Sequence, residues 1–302
     1  FNDKFNNKIY PGVFPNVKEI VFGSNFNSQI VPGAFPKLEK IIFFMDSHFN
    51  QPIEKGIFPA LEEIVFPPGF NSQINPGDMP NVKKITFPYY SQFDKEIIAE
   101  TFPELTEITF GPNFNKPINP GAMPNVKKIS FGVSSQFNQP IEKDTFPKLE
   151  EITFGGSFNS QIQPGAMPKV TEIDFSRAYG FNKPIEEGSF PELEEIIFDD
   201  NFKIDNIKKG AMPKVKKIQI GSDKLYDINS DVVKKIRNTP ESSNSNQTAV
   251  GGSIKNNKSK KSKKSKKSKK QKHSVIKSNK KFRRVLSSSK KQKHTCRRVK
   301  RY

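Results

Sequence analysis

The stretch FNKPINPGAMPNVKKISF, residues 114–131, decides the fold. It opens on a Phe-Asn pair, passes Ile118 and Gly121, places Met123 before Pro124, and closes on Val126, Ile129 and Phe131. Outward from it, the same unit recurs ten times, its opening Phe at 5, 26, 49, 70, 93, 114, 137, 158, 181 and 202. The intervals alternate between 21 and 23 residues, so the full period is a 44-residue pair of coils. Self-similarity at such a period marks a stacked array. The two additional residues precede the odd-numbered units, as in Phe44-Met45-Asp46-Ser47-His48 and Pro88-Tyr89-Tyr90-Ser91-Gln92. Insertions of this kind map to loops along one edge of a solenoid.

Phe dominates the composition because it repeats by position. An opening row, a closing row that starts at Phe1 and ends at Phe198, and a row before a fixed Pro hold all Phe except Phe44 and Phe282. Met79, Met123, Met167 and Met212 stand in the third row where Phe does not, and Met fills the same space adaptably. The closing segment alternates, as in Ile152-Thr153-Phe154, which predicts a short strand with Ile and Phe inward. One such strand per coil gives a parallel sheet. Pro occupies one return-path position in every unit, from Pro15 to Pro213, and forbids a long helix there. The Asn after the opening Phe, at Asn6, Asn27, Asn50, Asn71, Asn115, Asn138, Asn159 and Asn182, is expected to form a structural ladder. Buried amides there satisfy backbone groups at a turn.

The pattern F-N-x-x-I-x-x-G-x-F-P-x-L-x-x-I-x-F resembles the FNIP repeat, a relative of the leucine-rich-repeat class. The resemblance covers residues 1 to about 220 and rests on ten consecutive copies. It implies a mainly β, curved solenoid used for protein binding, of a kind often joined to an F-box or another signalling module. Phe1 reads as the closing Phe of a preceding unit, so the sequence is expected to be a fragment cut within a repeat. The expected architecture is ten 21/23-residue coils with one parallel sheet over 1–220, a short helical cap over 221–238, a flexible linker over 239–254 and a disordered basic tail over 255–302. The cap helix is placed near Ser230 and Asp231, with Val232, Val233 and Ile236 as its apolar face.

Function is sought where the unit departs from itself. The outward residue before each strand Ile alternates in sign from Glu19 and Lys40 through Lys128 and Glu151, which favours register. The alternation breaks at Glu151, Glu172 and Glu195, with Asp174 beside them. That run has no internal counter-charge on its row. It is either a solvated face or an acidic dock for a basic partner, the chain's own tail included. The mid-strand row opens on Val21, Ile42 and Val65, an apolar stripe with Phe44 nearby, and is a second candidate contact.

The formal net charge of +19 belongs to one end: residues 242–302 hold 23 Lys or Arg and no acid, and the first 241 residues are net −4. Ser259, Ser262, Ser265 and Ser268 are each followed by two Lys. Lys260, Lys261, Lys263, Lys264, Lys266, Lys267, Lys269, Lys270, Arg283 and Arg284 are candidate contacts to phosphate or to an import receptor. Cys296 has no internal partner, and neither His nor Cys clusters at metal-ligand spacing. No apolar run reaches the roughly 18 residues that span a bilayer. No nucleophile–base pair or phosphate-cradling loop is visible, and no cofactor is expected. The sequence therefore reads as a monomeric, intracellular scaffold, cytoplasmic or nuclear, that binds a protein through the sheet face and serves as a recognition module. The alternative is a nucleic-acid-associated protein acting through its basic tail.

Overall fold

The computed structural model describes residues 1–237. The linker, the tail and its candidate contacts from Lys260 to Arg284 lie outside the described residues. The strands are β1 (Glu19–Phe22), β2 (Lys40–Phe43), β3 (Glu63–Val65), β4 (Lys84–Thr86), β5 (Glu107–Phe110), β6 (Lys128–Phe131), β7 (Glu151–Thr153), β8 (Glu172–Phe175), β9 (Glu195–Phe198), β10 (Lys217–Ile220) and β11 (Lys224–Asp227). They form one eleven-stranded sheet in chain order. β1 to β10 are parallel neighbours and β11 pairs antiparallel with β10.

Register follows from the repeat. Ile20 pairs with Ile41 and Phe22 with Phe43, and each is buried, so like stacks on like. Within a turn, the closing ring lies flat on the next opening ring at 3.7 to 4.5 Å between centroids. Such aromatic pairs contribute about 0.5–1.5 kcal/mol beyond their area. Between coils, the inner opening rings from Phe26 to Phe181 stand 5.7 to 6.2 Å apart, nearly parallel. The sheet spacing is shorter, about 4.8 Å. The coils therefore fan apart on the opening-Phe side.

The Asn ladder bridges one step of this side. Backbone bonds join the coils just before the opening Phe, as from Gln92 N–H to Pro68 O at 2.7 Å, and again at bridges such as Ile9 with Ile30; between them a side chain makes the link. The Asn27 backbone N–H donates to Asn6 Oδ1 at 2.8 Å, Asn50 to Asn27 at 3.0 Å, Asn138 to Asn115 at 2.9 Å and Asn159 to Asn138 at 2.8 Å. The same step links Asn50 to Asn71 and Asn159 to Asn182. Asp94 keeps the ladder running with a carboxylate, accepting from Asn115 at 2.9 Å. One expectation is corrected: these amides are half-buried or exposed. They line the edge of the stack because the core behind them is filled by the opening rings.

The return path is a series of turns. Gly takes a left-handed φ of 71° to 86° at one position in eight coils, from Gly12 to Gly210. Glu100 and Asp144 hold the same conformation at 64° and 61°. A Cβ is strained there. Past β10, the chain reverses into β11 and then α1 (Asp231–Arg237). The Val233 N–H donates to Ser230 Oγ at 3.2 Å, an N-cap, and Val233 and Ile236 are buried. The Gly210 N–H reaches Ile236 O at 2.7 Å, which holds the helix on the last coil's return path. An antiparallel strand followed by a helix closes this end of the stack.

Two predictions follow from the coil geometry. Asn138→Ala removes the acceptor for Asn159 N–H and for Ser160 Oγ at 2.9 Å, and is expected to lower stability by about 1 kcal/mol. Asn138→Asp is expected to cost less, since Asp94 already serves in that role. Equal urea midpoints for Asn138→Ala and wild type would remove the ladder from the account of stability. Glu100→Gly and Asp144→Gly are each expected to raise stability by about 0.5 kcal/mol, relief of strain outweighing the entropy of Gly. A drop in the urea midpoint for both would show that the carboxylates do more than occupy the turn.

Candidate functional site

Every coil presents two outward residues on the sheet, so the face is a grid whose rows are set by the repeat. Over eleven strands it extends about 48 Å. Val21, Ile42 and Val65 are direct neighbours in register. Val21 is exposed and Ile42 and Val65 are half-buried. Phe44 follows β2 and is 48% exposed. The structure brings Val21, Ile42 and Val65 together, with Phe44 in the loop beyond β2.

Glu151, Glu172 and Glu195 are also direct neighbours, and Asp174 sits between Thr153 and Ile197. The expectation that this run lacks counter-charge is corrected. The Lys128 ammonium pairs with Glu151 from β6, and Lys217 pairs with Glu195 at 3.2 Å from β10. The flanking row is paired too: Glu150 with Lys127 at 2.8 Å and Glu194 with Lys216 at 2.7 Å. The cations come from the strands that bracket the run. Asp174 Oδ1 is occupied by the Ser176 N–H at 2.8 Å. Toward β1, Lys40 bridges Glu63 at 3.1 Å and Glu19 at 3.6 Å, and these carboxylates hold its ammonium above the ordinary lysine value. Exposed pairs of this kind contribute roughly 0–1 kcal/mol and fade with salt.

The remaining concavities are an open dent bounded by Glu62, Pro59, Pro80 and Glu104, and a slot of about 120 Å³ under α1 lined by Ile204, Ile207, Val232 and Ile236. Among the described residues no group of three or more His, Cys, Asp or Glu is placed to hold a metal ion. No helix among them is long and apolar enough to cross a membrane.

Two features escaped the sequence reading. Met45, Tyr89, Tyr90, Val133 and Tyr179, all in the loops of the longer coils, are exposed along one edge. The 44-residue spacing of the insertions was the signal that could have found them. Asp78 is buried at 5% exposure in a row that holds Ala34, Ala122, Ala166 and Ala211 in other coils. Asn75 N–H donates to its carboxylate at 2.7 Å, yet burial still holds the carboxyl above the ordinary aspartate value.

The family comparison turns on the units already described. The model of the FNIP Repeat matches residues 5–45, 93–134 and 137–177. These three stretches carry FNIP repeats. Among solved structures, the chain is similar to CroV588, described as a novel circular LRR protein, at 23% identity and a TM-score of 0.39. That alignment covers 73% of this chain and 42% of CroV588, so the chain spans less than half the length of that structure. No curated protein matches the chain.

Asp78 makes the stability of the solenoid depend on pH. Its folded pKa is raised, so protonation favours the fold and the cost of burying the charge sets in as pH rises above the ordinary aspartate value. Asp78→Asn is expected to have a higher urea midpoint than wild type at neutral pH, the gap closing by about pH 3. A gap independent of pH would show that the buried charge is not its cause.

Proposed function

We propose that the chain is a non-enzymatic scaffold that binds a protein partner through its solenoid sheet face and serves as a recognition module. The observation that carries this reading is the juxtaposition of Val21, Ile42 and Val65 on adjacent strands, in a row that is polar from Thr86 to Asp174. Apolar side chains on neighbouring strands bury area on contact that isolated ones do not. Glu151, Glu172, Glu195 and Asp174 form a second contact region, an acidic stretch of the face that suits a basic patch. The FNIP repeats support a binding role over a catalytic one.

A second reading has its own observation: the 23 Lys or Arg, without any acid, in residues 242–302. A segment of that charge neutralises phosphates without reading bases. In this reading the tail binds nucleic acid or an import receptor.

Val21→Thr, Ile42→Thr and Val65→Thr together test the first reading. Thr86, Thr109 and Thr153 fill the same row elsewhere, so the triple variant is expected to fold. Capture of the chain's principal protein partner is expected to weaken about tenfold, a loss of about 1.4 kcal/mol. Unchanged capture by the triple variant would sink the face as the contact. Loss of all retention on deleting 242–302, with salt-labile retention before, would move the function to the tail.

A further inference from the structure

The charge of residues 242–302 is punctuated in one place by a regular hydroxyl. Over 258–270 the sequence is KSKKSKKSKKSKK, nine Lys and four Ser. Ser259, Ser262, Ser265 and Ser268 recur every third residue, and each has Lys on both sides. No Ser or Thr between residues 1 and 237 stands between two cations. The recurring hydroxyls of the solenoid are also committed to its own backbone. Ser47, Ser91 and Ser135 are buried, and each accepts the N–H of an opening Phe at 3.1 to 3.4 Å. Ser28, Ser72 and Ser160 donate to Asn backbone carbonyls.

A spacer between like charges needs no hydroxyl, since Asn or Gly separates lysines equally well. What Ser adds is a site whose charge can be changed. Phosphoryl transfer forms a bond from Ser Oγ to the γ-phosphorus of ATP. The bond from that phosphorus to its bridging oxygen breaks, ADP leaves with the electron pair, and the hydroxyl proton passes to the carboxylate base of the kinase. Each phosphate brings about −1.5 to −2 of charge at neutral pH, so four of them take 258–270 from +9 to about +1 to +3. Charge also selects the enzyme. Lys on both sides of each Ser suits a substrate cleft lined with carboxylates and is repelled by one lined with cations. The four sites have nearly the same neighbours, so one enzyme serves all of them. The consequence for binding is direct, because the affinity of a basic segment for duplex DNA grows with the number of phosphates it neutralises.

We propose that Ser259, Ser262, Ser265 and Ser268 are phosphorylated by a protein kinase with an acidic substrate cleft, and that the phosphates weaken binding of this segment to nucleic acid. The second half rests on the reading of the tail as a nucleic-acid-binding segment. The test treats the full chain with ATP and a serine kinase that requires basic neighbours. Mass spectrometry counts and places the phosphates, and fluorescence anisotropy follows binding to a short labelled DNA duplex. All four serines are expected to be phosphorylated, with affinity about tenfold lower and a shallower dependence on salt. The variant Ser259→Ala, Ser262→Ala, Ser265→Ala, Ser268→Ala is expected to bind DNA as unmodified wild type does and to keep that affinity after treatment. Glu at the same four positions adds one negative charge each and is expected to bind between the unmodified and the phosphorylated chain. Phosphates placed outside 258–270, or a phosphorylated chain that binds DNA as tightly as the unmodified one, would overturn the proposal. Absence of DNA binding before treatment would instead overturn the nucleic-acid reading, and the switch with it.

Discussion

The structure depends on a mismatch of two spacings. Hydrogen bonds fix parallel strands about 4.8 Å apart. The opening Phe rings, stacked nearly face to face from coil to coil, stand 5.7 to 6.2 Å apart over most of the array. Both stacks belong to the same coils, so the coils are wedges. Backbone bonds still cross between coils on the ring side, just before the opening Phe and again at the bridge from Ile9 to Ile30 and its equivalents, and the step between them is closed by an Asn side chain. The Phe-Asn pair at the head of each unit is thus one device: the ring fills the core and the amide next to it closes the hydrogen bonding.

The same constraint separates fold from function. Inward positions are held by identical neighbours above and below, so Ile, Phe and Leu/Val cannot drift without opening a void beside two coils at once. Outward positions meet only solvent and the adjacent outward side chain. The face is therefore free to carry charge pairs along its length and an apolar stripe at one end while the stack remains unchanged. The loops on the ridge edge are freer still, because an insertion there lengthens a coil without shifting any strand.

Much of this was legible in the sequence. The period, the inward rows and the parallel sheet follow from one aligned unit, and the position of α1 from Ser230, Asp231 and the apolar residues after them. The ladder was legible as a ladder, but its burial was not, because burial depends on the ring behind each Asn and sequence spacing does not give that depth. The charge run was misread because it was followed along one row in one direction. Lys128 and Lys217, which neutralise its ends, lie on the same row just before and after it. β11 was missed: Lys224-Leu225-Tyr226-Asp227 has only its own hairpin to mark it, and no repeat announces it. Asp78 was missed because a single polar residue in a small-residue row looks like variation until its depth is known.

The exposed edge residues show why period and exposure must be read together. The 44-residue rhythm located the insertions, yet a rhythm alone gives no side to a loop. Once the short loops are seen to be floored with Gly and Pro, the long ones have to stand proud, and their side chains meet solvent at an interval of two coil steps. An array built from pairs of unequal coils thus carries a second, coarser period on its surface, two coils long, which the sheet does not have. The rhythm of that edge is set by coil pairing, and its chemistry by the side chain that each long loop carries.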